Sequence, residues 1–515
     1  MNYNKKFLTT IISTVIVMVL IMGTVIVIDP YFHYHAPIRG IPYTLENDLY
    51  INAGVLDNFD YDSVIIGSSL ASLMEPSVLD KALGTQTVLV TLRGASTKNG
   101  TYLMDYAIKH NKKLKNIYYS LDYHAITGGK DDLSRELPEY LYDDNPVNDT
   151  EYLLNKNTWI DGIGTLYDPN RETPITKDFD AAYGFDSYVQ FSKQAVINNM
   201  PEKFREGRIE YHFQKYASAD EFTASIQNIE PEDNVIGNIT CNIIPMLEGN
   251  PNIQFNFYMA PIPILNWYEQ MIAREEEGKK QEEILNQASS NLLYVFTELT
   301  KYHNCHLFFF YDDVVAEDMY RYTDLIHWDR RVGRYILRSI IDGNSEITRE
   351  NKNERVFDFY KRVSEYNPNL WNGTDYPIQK IDTLEEYVNE TNNNAFSKIV
   401  LINAEILEDD VNCLRENGYI SNQFKNGKYY VSVINDGQII AEEVADSPFE
   451  METTLEDKRV KIVTKGYADE ASIMIDDGEY CPEEEAIDIV VYDNHIGMVV
   501  DSVGVKSEIN ELLHY

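Results

Sequence analysis

Apolar and polar positions fall into three successive patterns along the chain. The first is an unbroken apolar run: no residue from Phe7 to Ile28 is charged. A helix of that length spans ~30 Å of hydrocarbon. Lys5 and Lys6 precede it, and Asp29 and Pro30 follow. The positive-inside rule then leaves the N-terminus in the cytoplasm and the bulk of the chain outside. A cleaved signal peptide is the rival reading, but the run is long for one and no Ala-x-Ala-like site follows it. The expectation is a single-pass, uncleaved anchor over 1–28 and a polar, aromatic juxtamembrane segment over 29–60.

The second pattern alternates short continuous apolar runs with amphipathic stretches. Runs at 63–66, 87–92, 116–121, 253–259 and 306–311 predict strands. Stretches at 76–83, 98–111, 282–303 and 330–341 predict helices. Such strands, apolar throughout and separated by helices, argue for a parallel sheet covered on both faces. This α/β domain is expected over 61–345. Within it, 132–239 is irregular, acidic and rich in Asn, Asp and Tyr, and reads as an insertion beside the sheet that could shape a cleft. Polar helices at 355–366 and 384–391 among Asn-rich turns suggest a linker over 346–396.

The third pattern, from Ser397 onward, is one of short strands: 398–403, 429–435, 460–464, 472–475 and 487–492, with one helix at 409–417. Asn435-Asp436-Gly437 and Asp476-Asp477-Gly478 mark turns. A β-rich domain over 397–515, of sandwich type, is expected.

Composition narrows the function classes. At 515 residues the chain is too long for one ordinary core. A net charge of -39 excludes nucleic acid as a partner, because no basic stripe is there to neutralise phosphates. Cys241, Cys305, Cys413 and Cys481 are too scattered to ligate a metal, and free thiols are expected. Asp312-Asp313 and Asp476-Asp477 lack the alternation of a calcium loop. Gly128-Gly129-Lys130 lacks the rest of a P-loop. No cofactor and no metal is expected.

Two short motifs carry candidate chemistry. Gly67-Ser68-Ser69 closes the first strand, which exposes a serine at the carboxyl edge of the sheet, where open α/β folds bind ligands. Either Ser68 or Ser69 could face the cleft. Asp324 and His327, three apart after the fifth strand, share a face if they lie on a helical turn. Asp324 would then fix the His327 tautomer and leave its Nε2 as a base for the serine. Each motif alone is more readily an ordinary loop or a surface ion pair; their conjunction at one sheet edge makes a triad the expectation.

This arrangement resembles the SGNH/GDSL hydrolase superfamily over roughly 61–341, which implies a flavodoxin-like, three-layer fold. On that resemblance Ser69 is the nucleophile, Asp324 and His327 complete the triad, and Ser69 and Gly94 (in Arg93-Gly94-Ala95-Ser96) supply oxyanion N–H groups. The family's third block normally offers an Asn side chain; here Ser120-Leu121-Asp122-Tyr123 offers Asp122, and an ionised carboxylate cannot donate. The anchor together with Gly-Ser-Ser looks like DltD-type extracytoplasmic proteins, as does the strand-plus-Pro segment 257–263. That likeness implies transfer or hydrolysis of acetyl or D-alanyl groups on an envelope polysaccharide or teichoic acid, alongside a membrane-bound O-acyltransferase. A simple carbohydrate deacetylase and a non-catalytic glycopolymer-binding scaffold stay open beside it. Segments 471–475, 489–493 and 499–503 are similar to the interleukin-like EMT-inducer domain, a small β-sandwich, which implies a carbohydrate-binding module or a spacer.

Overall fold

The computed structural model describes residues 2–164, 179–180, 196, 212–275, 278, 280–368, 381 and 383–515, apart from 42, 44, 46, 144, 393, 456–457, 468–469, 477, 483–485, 495–497, 507–510 and 515. Much of the expected insertion at 132–239 therefore lies outside the described residues.

Five strands run parallel: β1 (Ser63–Gly67), β2 (Thr87–Thr91), β3 (Asn116–Ser120), β4 (Gln254–Met259) and β5 (Cys305–Phe309). A short β6 (Glu346–Ile347) adds antiparallel to β5, which makes the sheet mixed. The order is β2-β1-β3-β4-β5-β6. Its first five strands form a doubly wound arrangement whose switch point lies between β1 and β3. Every residue of β1 and of β2 is buried, which explains why both strands read as apolar runs without alternation. Helices Pro76–Leu83 and Thr97–His110 cover these strands, and Gln281–Leu299 packs against β5.

Two segments belong to this domain more closely than the sequence suggests. The segment expected to be juxtamembrane contains the helix Asp48–Asn58, which buries Ile51, Val55 and Leu56 and packs on β2. Its Asn52 Nδ2 donates to the Thr91 carbonyl at 2.8 Å. Likewise the helix Lys352–Glu365, expected in a linker, lies along Gln281–Leu299 and buries Val356, Phe359, Tyr360 and Val363.

The C-terminal region is antiparallel throughout. The strands are β7 (Phe396–Ile402), β8 (Tyr429–Asn435), β9 (Gln438–Ala445), β10 (Glu450–Leu455), β11 (Lys458–Val463), β12 (Ser472–Ile475), β13 (Gly478–Glu479), β14 (Ile487–Asp493), β15 (Met498–Lys506) and β16 (Glu511–His514). One sheet has the order β16-β15-β14-β7-β8-β9 and the other β10-β11-β12-β13. Ile399, Leu401, Val431 and Val433 from the larger sheet share a core with Val460, Ile462, Ile473 and Ile475 from the smaller. Val400 and Ile402 point the other way, into the core that contains Leu384 and Val388 of helix Leu384–Thr391 and Val411 and Leu414 of helix Glu408–Glu416. The period-two side-chain alternation of β7 thus separates two hydrophobic layers. Asp436 (φ 50°) and Gly437 (φ 69°) make the left-handed turn that joins β8 to β9.

The helix Asn2–Ile28 carries one stretch, Lys5–Ile28, long and apolar enough to cross a membrane, and almost none of it is covered by the rest of the chain. Its last turn is different. Val25 is buried, and Tyr43 donates its hydroxyl proton to the Ile28 carbonyl at 2.7 Å. Asp29, at φ 46°, is fully buried; its carboxylate accepts from the N–H groups of His33, Tyr34 and His35 and from the Tyr152 hydroxyl at 2.7–3.0 Å. The chain therefore leaves the apolar helix through a fixed turn tied to the α/β domain.

Candidate active site

The first strand ends in a turn that only a small residue permits. A Cβ on Gly67 would lie 2.6 Å from Ala71 Cβ and 2.9 Å from Ser120 Cβ. This close approach folds the chain back over the strand end, so Ser68 and Ser69 emerge at the carboxyl edge of β1. A short 3-10 turn, Ser69–Ala71, follows. Ser68 caps that turn, its Oγ accepting from Leu70 N–H at 3.2 Å.

Ser69 Oγ lies 2.9 Å from His327 Nε2. His327 Nδ1 lies 2.7 Å from Asp324 Oδ2. The acceptor at Nδ1 holds the ring proton there, which leaves Nε2 free to accept from Ser69. Of the two serines it is thus Ser69 that meets the histidine. Asp324 and His327 do not share the helical turn that their spacing predicts. They sit on a tight loop closed by the Tyr322–Trp328 bridge and by Thr323 N–H donating to the His327 carbonyl at 3.0 Å. Asp324 Oδ1 organises the loop from inside, accepting the backbone N–H groups of Ile326 and His327, each at 2.7 Å. Burial alone would raise the Asp324 carboxyl, but the His327 hydrogen bond and charge, with those two N–H donors, hold it below the usual range.

Neighbouring elements brace the loop from outside. Asn266, buried on the helix Ile264–Glu275, donates to the Leu325 carbonyl at 3.0 Å. At the loop's base, buried Asp329 accepts from Arg321 at 3.3 Å and from Arg331 at 3.1 Å. Arg331 also donates to the Cys481 carbonyl at 3.0 Å, and Arg321 lies 4.8 Å from the Tyr480 ring centroid. The C-terminal sandwich thereby holds the base of the histidine loop.

Gly94 follows β2 with φ 72°, in the left-handed region that glycine tolerates. Among the described residues none accepts from the N–H of Gly94 or of Ser69, and both residues line one cavity of about 570 Å³ with His327. The segment after helix Tyr123–Thr127 forms another wall: Gly128, Gly129, Asp132 and Ser134 line the same space, and Ser134 Oγ donates to the Gly94 carbonyl at 2.6 Å. The start of the expected insertion therefore does shape the cleft. Glu269 also lines it; burial, with Asp324 nearby, raises its carboxyl. Sequence spacing gave no signal for Asn266, Glu269 or Ser134.

Asp122, at the end of β3, lies where the oxyanion-binding Asn was expected and faces the same cavity. It is buried, and accepts from Ser68 Oγ and from Ser120 Oγ, both at 2.5 Å. Burial pushes its carboxyl up to about 6, against the lowering effect of the two serine hydroxyls and of nearby His327.

A larger cavity of about 760 Å³ lies between the α/β domain and the sandwich, lined by Asp313, Arg355, Arg362, Arg459 and Tyr480 among others. It holds ion pairs such as Arg355–Asp312 but no nucleophile beside a base, so the smaller cavity is the candidate site. Among the described residues no cluster of metal-ligating side chains occurs, and no two cysteines are joined in a disulfide. Comparison with protein-family models, with curated proteins and with solved structures returns no match.

Proposed function

We propose that the chain is a membrane-anchored, extracytoplasmic serine acyltransferase or esterase of SGNH type, acting on O-acyl groups of a cell-envelope glycopolymer. The observation that carries this reading is the unbroken hydrogen-bonded series Asp324–His327–Ser69 at the edge of a parallel sheet, opening into a cavity. As Ser69 Oγ attacks an acyl carbon, its proton passes to His327 Nε2, and Asp324 stabilises the imidazolium. The carbonyl oxygen becomes an oxyanion facing the Ser69 and Gly94 N–H groups. Collapse expels the leaving oxygen, which takes the proton from His327. A sugar or polyol hydroxyl, or water, then attacks the acyl-serine with His327 again as base.

The anchor supports the choice of substrate. With Lys5 and Lys6 on the cytoplasmic side, the fixed turn at Asp29 ties the α/β domain to the outer end of the anchor, which suits membrane-linked polymers and a membrane-bound O-acyltransferase partner. The test is Ser69→Ala in the full-length chain, expressed in cells that lack the wild-type copy, with base-labile acyl groups on the envelope polymer measured. Acyl content should depart from that of wild-type cells, falling for a transferase and rising for an esterase. Unchanged content would remove Ser69 from the mechanism.

A further inference from the structure

The Asp122 cluster is unused by the mechanism above, and its geometry has a specific consequence. Asp122 is buried, yet it reaches the cavity shared by Ser68, Ser69, Gly94 and His327. Ser68 Oγ lies 2.5 Å from one carboxyl oxygen and Ser120 Oγ 2.5 Å from the other. A hydroxyl has one proton to give. While the carboxyl is ionised, Ser68 gives its proton to Asp122 and has none for the cleft. A proton on Asp122 Oδ2 reverses that bond without moving a heavy atom. The carboxyl then donates to Ser68 Oγ, and the Ser68 hydrogen is released toward a second acceptor. Ser120 keeps its bond to Oδ1 in both states.

We propose that the Ser68 hydroxyl is the third donor to the oxyanion, and that the protonation state of Asp122 decides whether Ser68 points into the cleft. The pair would fill the place of the missing Asn side chain. This inference rests on the Ser69 acyl-transfer reading. No proton is lost or gained in the step itself: Asp122 holds its proton throughout, and only hydrogen-bond directions change as charge develops on the substrate oxygen.

The groups around Asp122 permit the switch. His327, on its loop, opposes protonation when charged. Tyr119 on β3, Tyr258 on β4 and Tyr311 just after β5 also face it; burial, with Asp122 adding to it, drives all three phenols upward, so they bring no charge near neutral pH. The remaining contacts are the two serine hydroxyls. With a carboxyl raised to about 6, the protonated and donating form belongs to mildly acidic conditions.

The experiment measures acetate release from an aryl acetate by the full-length protein in detergent, from pH ~5 to ~8. Wild type, Ser68→Ala, Ser68→Thr, Asp122→Asn and Ser69→Ala are compared, each with its unfolding midpoint. The wild-type kcat should fall as pH rises through the Asp122 transition while KM stays constant. Ser68→Ala should lose kcat on the acid side by on the order of 10²-fold, as removal of one oxyanion donor does. Ser68→Thr, which keeps the hydroxyl, should restore most of it. Asp122→Asn should lack the alkaline fall, because its amide donates to Ser68 at every pH. Ser68→Ala equal to wild type, or an identical alkaline fall in Asp122→Asn, would overturn the inference and leave the triad standing. Wild type no faster than Ser69→Ala would overturn the acyl-transfer reading and this inference with it.

Discussion

Gly67→Ala probes the turn that presents the nucleophile. Its added methyl would sit 2.6 Å from Ala71 Cβ and 2.9 Å from Ser120 Cβ, where ordinary contact begins at 3.4 Å. The shortfalls are about 0.8 Å and 0.5 Å, and both neighbours are Cβ atoms that no rotamer change can withdraw. Either the turn carrying Ser68 and Ser69 lifts off the sheet or β3 moves away from β1. Overpacking of this kind costs about 2 kcal/mol, which lowers the unfolding midpoint by about 4–8 °C in a domain of this class. The kinetic effect should exceed the stability effect, because a ~1 Å displacement of a nucleophile costs ~10²-fold. The assay is the second-order rate of fluorophosphonate modification, alongside thermal unfolding. Wild-type values of both would refute the claim that the turn is tight and that it positions Ser69.

Four further outcomes follow from contacts at the site and its supports. Asp324→Asn should slow Ser69 modification by on the order of 10³–10⁴-fold with the fold intact, since the amide favours the wrong histidine tautomer. Asp122→Asn should stabilise the protein near neutral pH and much less in acid: the folded carboxyl is raised to about 6, so its contribution is present below the unfolded value and lost as pH rises through 6, about 3 kcal/mol by linkage, read as a pH-dependent difference in urea midpoints. Asp329→Ala leaves buried Arg321 and Arg331 without their shared carboxylate; a loss of about 3–5 kcal/mol and slower Ser69 modification are expected, and an unperturbed histidine loop in hydrogen exchange would contradict the bracing role. Asp29→Asn should open the segment after the anchor to proteolysis, because a neutral amide replaces a carboxylate accepting four hydrogen bonds.

Legibility in the sequence followed burial. Strands β1 to β5 were readable because helices cover the sheet and each strand keeps a run of buried apolar residues, such as Val64, Ile65 and Ile66 in β1 and Val88, Leu89 and Val90 in β2. The helix Pro76–Leu83, opened by Pro76 and closed by Gly84 at φ 69°, carries its own start and stop signals. Two edge strands of the C-terminal sheets were not readable: β10 is Glu-Met-Glu-Thr-Thr-Leu, with only Met451 and Leu455 buried, and β9 has no buried residue at all. The helix Asp48–Asn58 was hidden because its buried face includes Asp48 and Asn52, whose partners, the Arg93 N–H and the Thr91 carbonyl, lie some 40 residues on in the chain. In the site, the triad residues were legible from motif spacing, but the loop that carries two of them was not. Nothing local to Asp324 and His327 announces a closure made by Tyr322, Trp328 and Asn266. Asp122 was visible only as a departure from a pattern; its two serine partners come from two strand ends meeting, Ser68 from β1 and Ser120 from β3.

The most direct test of the central claim is fluorophosphonate labelling of the full-length protein in detergent, with the modified residue identified by mass spectrometry and His327→Ala as the control. The account predicts modification at Ser69 that disappears in His327→Ala. Absence of labelling in folded protein, or labelling at Ser69 that survives the loss of His327, would contradict an activated nucleophile and favour a glycopolymer-binding scaffold.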